Sequence, residues 1–351
     1  MNKTSYNQAV NCAGGEALDE EVGQFVPLDA LPSSGGVLGD SLEIVSLNAL
    51  SELTVADSLP RNAPSVLSMG GISYDGEPVN LDNGLVAKME RPSNRGGASL
   101  SALRGSKGRA YEWTFGRLPG TRGEAEVVGE YFLDAFEEED APEPMVLTRR
   151  KASRDAFEKL APTVRFLHLA THGWFAPESV ASTVDDRVID ENMGIMGSSL
   201  RDQVIGLAPS LLCGLAFAGA NGAADMYGRV RGVMTAEEIS AMDLSGVELC
   251  VLSACQTNVG LRRGGQGIAS LQTALHAAGV RTAITSLWMV SDEATRELMT
   301  EFYRRLWVLK EPKAQALWNA KRKLREQLDA DGEPVYSIRD WAGWVLSGDP
   351  D

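Results

Sequence analysis

A chain of 351 residues, 44% of them hydrophobic, is long enough for one large or two modest domains with packed cores. With 33 basic against 48 acidic residues it carries a net charge of −15, which sets most of its surface against nucleic-acid phosphates, and no direct nucleic-acid partner is expected. No apolar run approaches the roughly 18 residues of a membrane span, and residues 1–8 lack signal-peptide character, so the protein reads as soluble and cytoplasmic with no membrane partner.

The acidity is concentrated in two places. Residues 1–60 carry one basic and nine acidic groups, and residues 120–143 carry the same. Residues 293–328 run the other way, with nine basic and five acidic groups, the pattern of a solvated helix face. The four cysteines show no paired spacing, which fits a reducing compartment.

Taken in order, residues 1–23 are small, polar and acidic, and a disordered tether is expected there. Short apolar pieces follow, broken by Gly, Pro, Ser and Asn. Strands are predicted over 41–46 and 65–72, a short helix over 46–53, and a long loop over 75–108. From residue 123 the signal sharpens. Val127, Val128, Tyr131, Phe132, Ala135 and Phe136 recur at helical spacing, and Pro142 and Pro144 lie beyond the helix end. A strand over 145–148 and a helix over 153–160, with Ser153 as N-cap, come next.

Residues 164–170 are an apolar run containing His168, and His172-Gly173 follow it. The stretch 177–209 is polar and unpatterned and too long for an ordinary connection; it is either a gate over the cleft or a surface insertion without a role. A strand over 210–218 contains Cys213, and a helix over 235–242 opens with Thr235 and Glu238 spaced as a capping box. Residues 247–254 form another apolar run, with Cys250 inside it and Cys255 just after it. A helix over 267–278, a strand over 281–287, helices over 292–308 and 312–328, and a strand over 341–346 complete the chain. Unbroken apolar strands alternating with helices predict an α/β fold with a mainly parallel sheet and right-handed crossovers.

Open α/β sheets hold their ligands at the carboxyl ends of the strands. Cys255 and His172 both fall at such ends, where a thiol and a base can meet; the alternative is two unrelated loop residues. Cys250, within its strand, is expected to be buried and inert. His276 lies in a helix and reads as a packing or surface residue. His168 and His172 are four apart, but on a strand that spacing spans roughly 13 Å, so no metal site is expected. Gly264-Gly265-Gln266-Gly267 lacks both dinucleotide-binding and P-loop spacing, which disfavours a nucleotide-binding switch; no cofactor is expected. Asp292 is either a pocket residue favouring a basic substrate side chain or a helix cap. Trp288 is either core or cleft wall, and Gln256, beside the cysteine, is a third candidate for the substrate pocket.

His172-Gly173-Trp174-Phe175 after one apolar strand and Ser253-Ala254-Cys255-Gln256-Thr257 after another resemble the CHAT family of cysteine proteases, relatives of caspases and separases. Residues 215–221, 232–239, 286–295 and 341–348 match that family in kind. The likeness is marked from about residue 118 onward and fainter from about residue 26. It implies a caspase-like sheet flanked by helices, with a smaller degenerate α/β half before it. The boundaries are then a tether over 1–23, an N-terminal non-catalytic half over 24–119, and a catalytic half over 120–351. The N-terminal half shows no chemistry of its own.

The resemblance further implies a Cys255–His172 dyad, with the backbone N–H groups of Gly173 and Cys255 as oxyanion donors. The cysteine follows Ser-Ala where caspases have Gln-Ala, so aspartate specificity is not implied. The activity implied is a regulated cysteine endopeptidase acting on a protein substrate, in bacterial defence or regulated cell death. Relatives carry tetratricopeptide repeats or other sensors; this sequence has no repeat array, so a separate or missing regulatory module is expected. The competing class is a catalytically silent scaffold that kept the fold.

Overall fold

A computed structural model describes residues 28–33, 36–42, 61–79, 103–105, 114–137, 141–175, 180–182, 213–223, 230–253, 264–288 and 290–351. Its strands are β1 (Val66–Ile72), β2 (Met145–Arg149), β3 (Phe166–Leu169), β4 (His172–Phe175), β5 (Cys213–Ala216), β6 (Val233–Thr235), β7 (Leu249–Leu252), β8 (Thr282–Ser286) and β9 (Trp344–Gly348). Its helices are α1 (Thr121–Phe136), α2 (Arg154–Leu160), α3 (Ala236–Ser240), α4 (Gly264–Ala277), α5 (Asp292–Tyr303), α6 (Lys313–Glu326) and α7 (Ile338–Trp341). Two short antiparallel pairs, Pro32–Ser33 with Gly36–Val37 and Leu103–Gly105 with Val180–Ser182, form small sheets of their own. The second pair falls inside the two stretches read as loops. Of the strand expected over 41–46, residues 41 and 42 are described and are not strand; the rest of it, the tether over 1–23, the helix over 46–53 and most of the stretch 177–209 lie outside the described residues.

A six-stranded sheet in the order β9-β8-β7-β3-β1-β2 organises the fold. Every pairing is parallel except β8 with β9. The caspase-like α/β reading is therefore what the molecule has: a mostly parallel sheet with helices against it. Strand β1 belongs to the stretch expected to form a separate N-terminal half, and it is an interior member of this sheet.

The strands read as unbroken apolar runs because both their faces are covered. Leu67, Leu167, Cys250 and Ala283 enter one core with Phe157, Phe217 and Leu275. Val66, Phe166, Val251 and Ile284 enter the other with Phe132, Phe302, Trp307 and Trp344. Helix α1 lies directly on β1, because a Cβ at Gly70 would collide with the Thr121 carbonyl and with Ala125. Gly71, at φ +56°, donates its N–H to Thr121 Oγ1 at 2.9 Å. His168, fully buried on β3, lies 3.2 Å from Glu124 of α1 and 3.0 Å from the Tyr303 hydroxyl of α5, joining strand and helices through polar contacts.

Local signals predict most boundaries well. Ser153 caps α2 by accepting from the Ala156 N–H, and Thr235 with Glu238 closes the capping box of α3. Two differ. The helix expected over 292–308 is regular only to Tyr303 and continues as a π turn over Arg304–Val308, where Trp307 is buried against Phe132 and Phe166. The strand expected from 341 begins at Trp344, because Ser337 and Asp340 form a capping box that starts α7 first. Among the described residues no helix is long and apolar enough to cross a membrane.

Helices α5 and α6 are joined through Glu301, which is 3% exposed and contacts Arg304 at 2.6 Å, Arg305 at 2.6 Å and Lys323 at 3.2 Å. Burial alone raises its carboxyl pKa, but hydrogen bonds from Arg304 and Lys323 override it and hold the value down at about 2, from an ordinary 4.5. A depressed carboxyl stabilises the fold fully above its unfolded pKa and loses that contribution as pH falls through the folded one. Wild type is therefore expected to melt above Glu301→Gln at neutral pH, with the gap closing between about pH 4.5 and pH 2. A gap independent of pH across that range would show that the ion cluster does not carry it.

Candidate active site

The parallel strands β3 and β7 are neighbours in register, with Leu169 opposite Leu252 at their carboxyl ends. On its other side Ala170 extends the pairing of β3 with β1 by one residue, donating to the Met69 carbonyl at 2.8 Å. The chain then leaves for a second, three-stranded antiparallel sheet, β6-β5-β4, in which His172 stands opposite Ala216 and Gly173 opposite Leu215. Thr171 makes the switch between sheets by donating its hydroxyl to the Ala216 carbonyl. A histidine three residues beyond the strand is thus fixed at the sheet's carboxyl edge.

His172 is 1% exposed, and its surroundings come from far away in sequence. Nε2 lies 2.7 Å from the carbonyl oxygen of Gly116. A carbonyl only accepts, so Nε2 carries the proton and Nδ1 is the nitrogen that can exchange one. The rings of Tyr74 and Phe115 flank the imidazole, with centroids 4.9 and 5.7 Å away. The Tyr74 hydroxyl accepts from the His172 backbone N–H and, at 3.1 Å, donates to Thr171, whose own proton goes to Ala216. Burial raises the Tyr74 phenol above its ordinary range. The segment expected to carry no chemistry therefore supplies Tyr74, Phe115 and Gly116 around this histidine. No sequence motif marks Gly116, whose contribution is a main-chain carbonyl that any residue possesses.

The other sequence-predicted positions separate. Cys255 and Gln256 lie outside the described residues, the strand that leads to them being described as far as Ser253. Cys250 is fully buried on β7, and burial pushes its thiol up to about 12, so it stays protonated and unreactive at neutral pH. His168 is engaged with Glu124 and Tyr303. His276 is held by the Val280 carbonyl and Ser347 hydroxyl, each at 2.9 Å, which makes it a packing residue.

Trp288 and Asp292 follow β8, which is parallel to β7, and so stand at the same edge of the sheet. Trp288 is half-buried, donates its indole N–H to the Arg339 carbonyl at 2.7 Å, and leaves no room for a side chain at Gly343. Ser291 caps α5 by accepting from the Ala294 N–H, while Asp292 Oδ2 accepts from the Gly120 N–H at 3.3 Å. Asp292 thus ties the start of α5 to the start of α1. Among the described residues no group of His, Cys, Asp and Glu side chains is arranged to hold a metal ion.

No curated protein matches the chain. A family model described as CHAT domain matches residues 18–349, nearly the whole sequence and every element described above. With the caspase-like sheet and the histidine at its carboxyl edge already in view, that match settles the family: the protein belongs to the CHAT domain family, which is caspase-like and protease-related.

Proposed function

We propose that this protein is a regulated cysteine endopeptidase that cleaves a protein substrate with Cys255 as nucleophile and His172 as proton carrier. The observation that carries the reading is the state of His172. Its ring is buried at the edge where ligands of such sheets bind, and its Nε2 proton is committed to the Gly116 carbonyl, so proton transfer falls to Nδ1. Leu169 and Leu252 are paired, and each histidine or cysteine follows its leucine by three residues. From Ser253, two further residues reach at most about 7 Å, which supports a thiol close to that edge.

In the proposed reaction the Cys255 thiolate attacks the scissile carbonyl, forming the carbon–sulfur bond. The protonated His172 then gives its proton to the leaving amine as the carbon–nitrogen bond breaks. Water, deprotonated by His172, hydrolyses the thioester and restores the thiol. The N–H groups of Gly173 and Cys255 are the proposed oxyanion donors, each worth about 3 kcal/mol in comparable sites. Trp288, Asp292 and Gln256 are kept as candidates for the substrate-side wall. Asp292 reaches that role only while also holding Gly120. The regulator is proposed to be a separate protein or sensor module, and the setting a cytoplasmic defence or cell-death response.

In a silent scaffold Cys255 would react as an ordinary thiol, whereas the dyad makes its reactivity depend on His172. The test is alkylation by peptide electrophiles carrying varied side chains, read by intact mass and peptide mapping. A single adduct on Cys255 is expected, formed at least about tenfold more slowly in His172→Ala. Equal rates in the two proteins would mean an ordinary exposed thiol and would end the dyad reading.

A further inference from the structure

The carbonyl and the ring that hold His172 from one side belong to Phe115 and Gly116, in a stretch of described chain, 114–120, without regular secondary structure. Phe115 is buried between exposed neighbours, so the segment crosses the surface with one side chain turned in. Something must fix it, because a carbonyl that wanders cannot select a tautomer.

Asn221, in the turn after β5, meets that requirement. Its Oδ1 accepts from the Phe115 N–H at 2.8 Å, and its Nδ2 donates to the Phe115 carbonyl at 3.0 Å. One side-chain amide thus pairs both main-chain groups of Phe115, as a neighbouring strand would. The second Nδ2 proton goes to Asp75 Oδ1 at 2.9 Å, and the Asn221 main-chain N–H goes to the Tyr74 carbonyl at 2.9 Å. Rotating the amide by half a turn would set its oxygen against a carbonyl and a carboxylate, so the partners define its orientation. Asn221 therefore grips the chain beside each of the two rings that flank His172.

We propose that Asn221 is a positioning residue for His172: by clamping Phe115 and the chain at Tyr74, it holds the Gly116 carbonyl and both aromatic rings where they fix the imidazole in its Nε2–H tautomer. Asn221 acts on His172 through this cage, by way of Phe115 and Tyr74. The inference rests on the reading of His172 as the proton carrier, and it adds the residue that sets which nitrogen carries the proton.

The experiment is nitrogen NMR on protein labelled at its three histidines, His168, His172 and His276. In wild type the His172 signals are expected to be those of the Nε2–H form. In Asn221→Ala they should move toward averaged values, while His168 and His276 keep theirs. Asn221→Asp retains the acceptor for Phe115 but loses both donors and faces Asp75 with a like charge, so it should behave as Asn221→Ala does. Asp75→Ala removes only the outer partner and should resemble wild type. Wherever cleavage is measurable, kcat in Asn221→Ala should fall by about tenfold to a hundredfold with KM little changed. Wild-type His172 signals in Asn221→Ala overturn the proposal, as does loss of the native fold in both Asn221 variants, which would assign the residue to folding. The readout needs no turnover: a failed protease reading leaves the tautomer shift in place, and a failed clamp leaves cleavage intact.

Discussion

Replacing Cys255 by alanine is expected to reduce peptide cleavage by about 10⁴-fold or more while leaving the melting temperature within a few degrees of wild type. The same loss is expected for His172→Ala, because a thiol without its proton carrier and a carrier without its thiol are equally idle. The sharper consequence concerns the double variant. Groups that act as one unit are not additive, so Cys255→Ala with His172→Ala should be about as slow as either single change. Cys250→Ala is the internal control. Its thiol is fully buried on β7 and pushed up to about 12, so removing it costs packing and leaves cleavage within about twofold. Comparable losses in Cys250→Ala and Cys255→Ala, both folded, would show that the nucleophile is misassigned. Losses that multiply in the double variant would show two independent roles and no dyad.

How much of this was visible in the sequence follows from where each signal resides. Phe166–Leu169, Leu249–Leu252 and Thr282–Ser286 are interior strands of one sheet, so burial on both faces leaves apolar runs that need no partner to be recognised. Ser153 and Thr235 act on N–H groups three residues away, and such short-range bonds are written in local order. The switch at Thr171 is different. Nothing within residues 166–175 distinguishes one continuing strand from two strands in separate sheets; that depends on Ala216 and Tyr74.

The site divides in the same way. His172 is legible because a histidine after an apolar run and before glycine is uncommon in a chain with three histidines. Its setting is not. Gly116 is 56 residues away and acts through its main chain, and Asn221 reaches Phe115 across 106 residues with a side chain as common in turns as anywhere. Reading residues 24–119 as without chemistry of their own missed Tyr74, Phe115 and Gly116 for that reason: their contribution is placement around His172, which composition does not record.

The second large effect is expected at Asp29, where the amino-terminal part of the described chain meets α6. Lys321 is wholly buried, yet its ammonium is ionically paired with Asp29 at 2.5 Å and donates to the carbonyl of Trp344 at 2.9 Å and that of Ala342 at 3.4 Å. Four residues on, Arg325 holds Asp40 through contacts of 2.9 and 3.1 Å, and Gly39 packs on Trp318 between them. Burial lowers the lysine pKa, and Asp29 opposes that shift. Asp29→Ala leaves a buried charge without its counter-ion, a loss of about 3–5 kcal/mol and roughly 4–7 °C in melting temperature for a chain of this size. Adding Lys321→Met should recover much of it, less what the two carbonyls lose as acceptors.

The sign with pH is fixed by the same lysine. A folded pKa below the unfolded value means that the unfolded chain binds more protons in between, so stability rises with pH across that interval. The deficit of Asp29→Ala should therefore be largest near neutral pH and shrink as pH approaches the ordinary lysine value of 10.5. The carbonyls that Lys321 holds flank Gly343, which accepts from Leu287 at 2.8 Å and lies under Trp288. Hydrogen exchange in Asp29→Ala should accordingly quicken at Leu287 as well as around residue 29, carrying the change from the chain's first described turn to the sheet's carboxyl edge. A melting temperature no lower than that of an exposed replacement such as Asp331→Ala would remove the buried pair from the account of stability, and unchanged exchange at Leu287 would cut the link to the site.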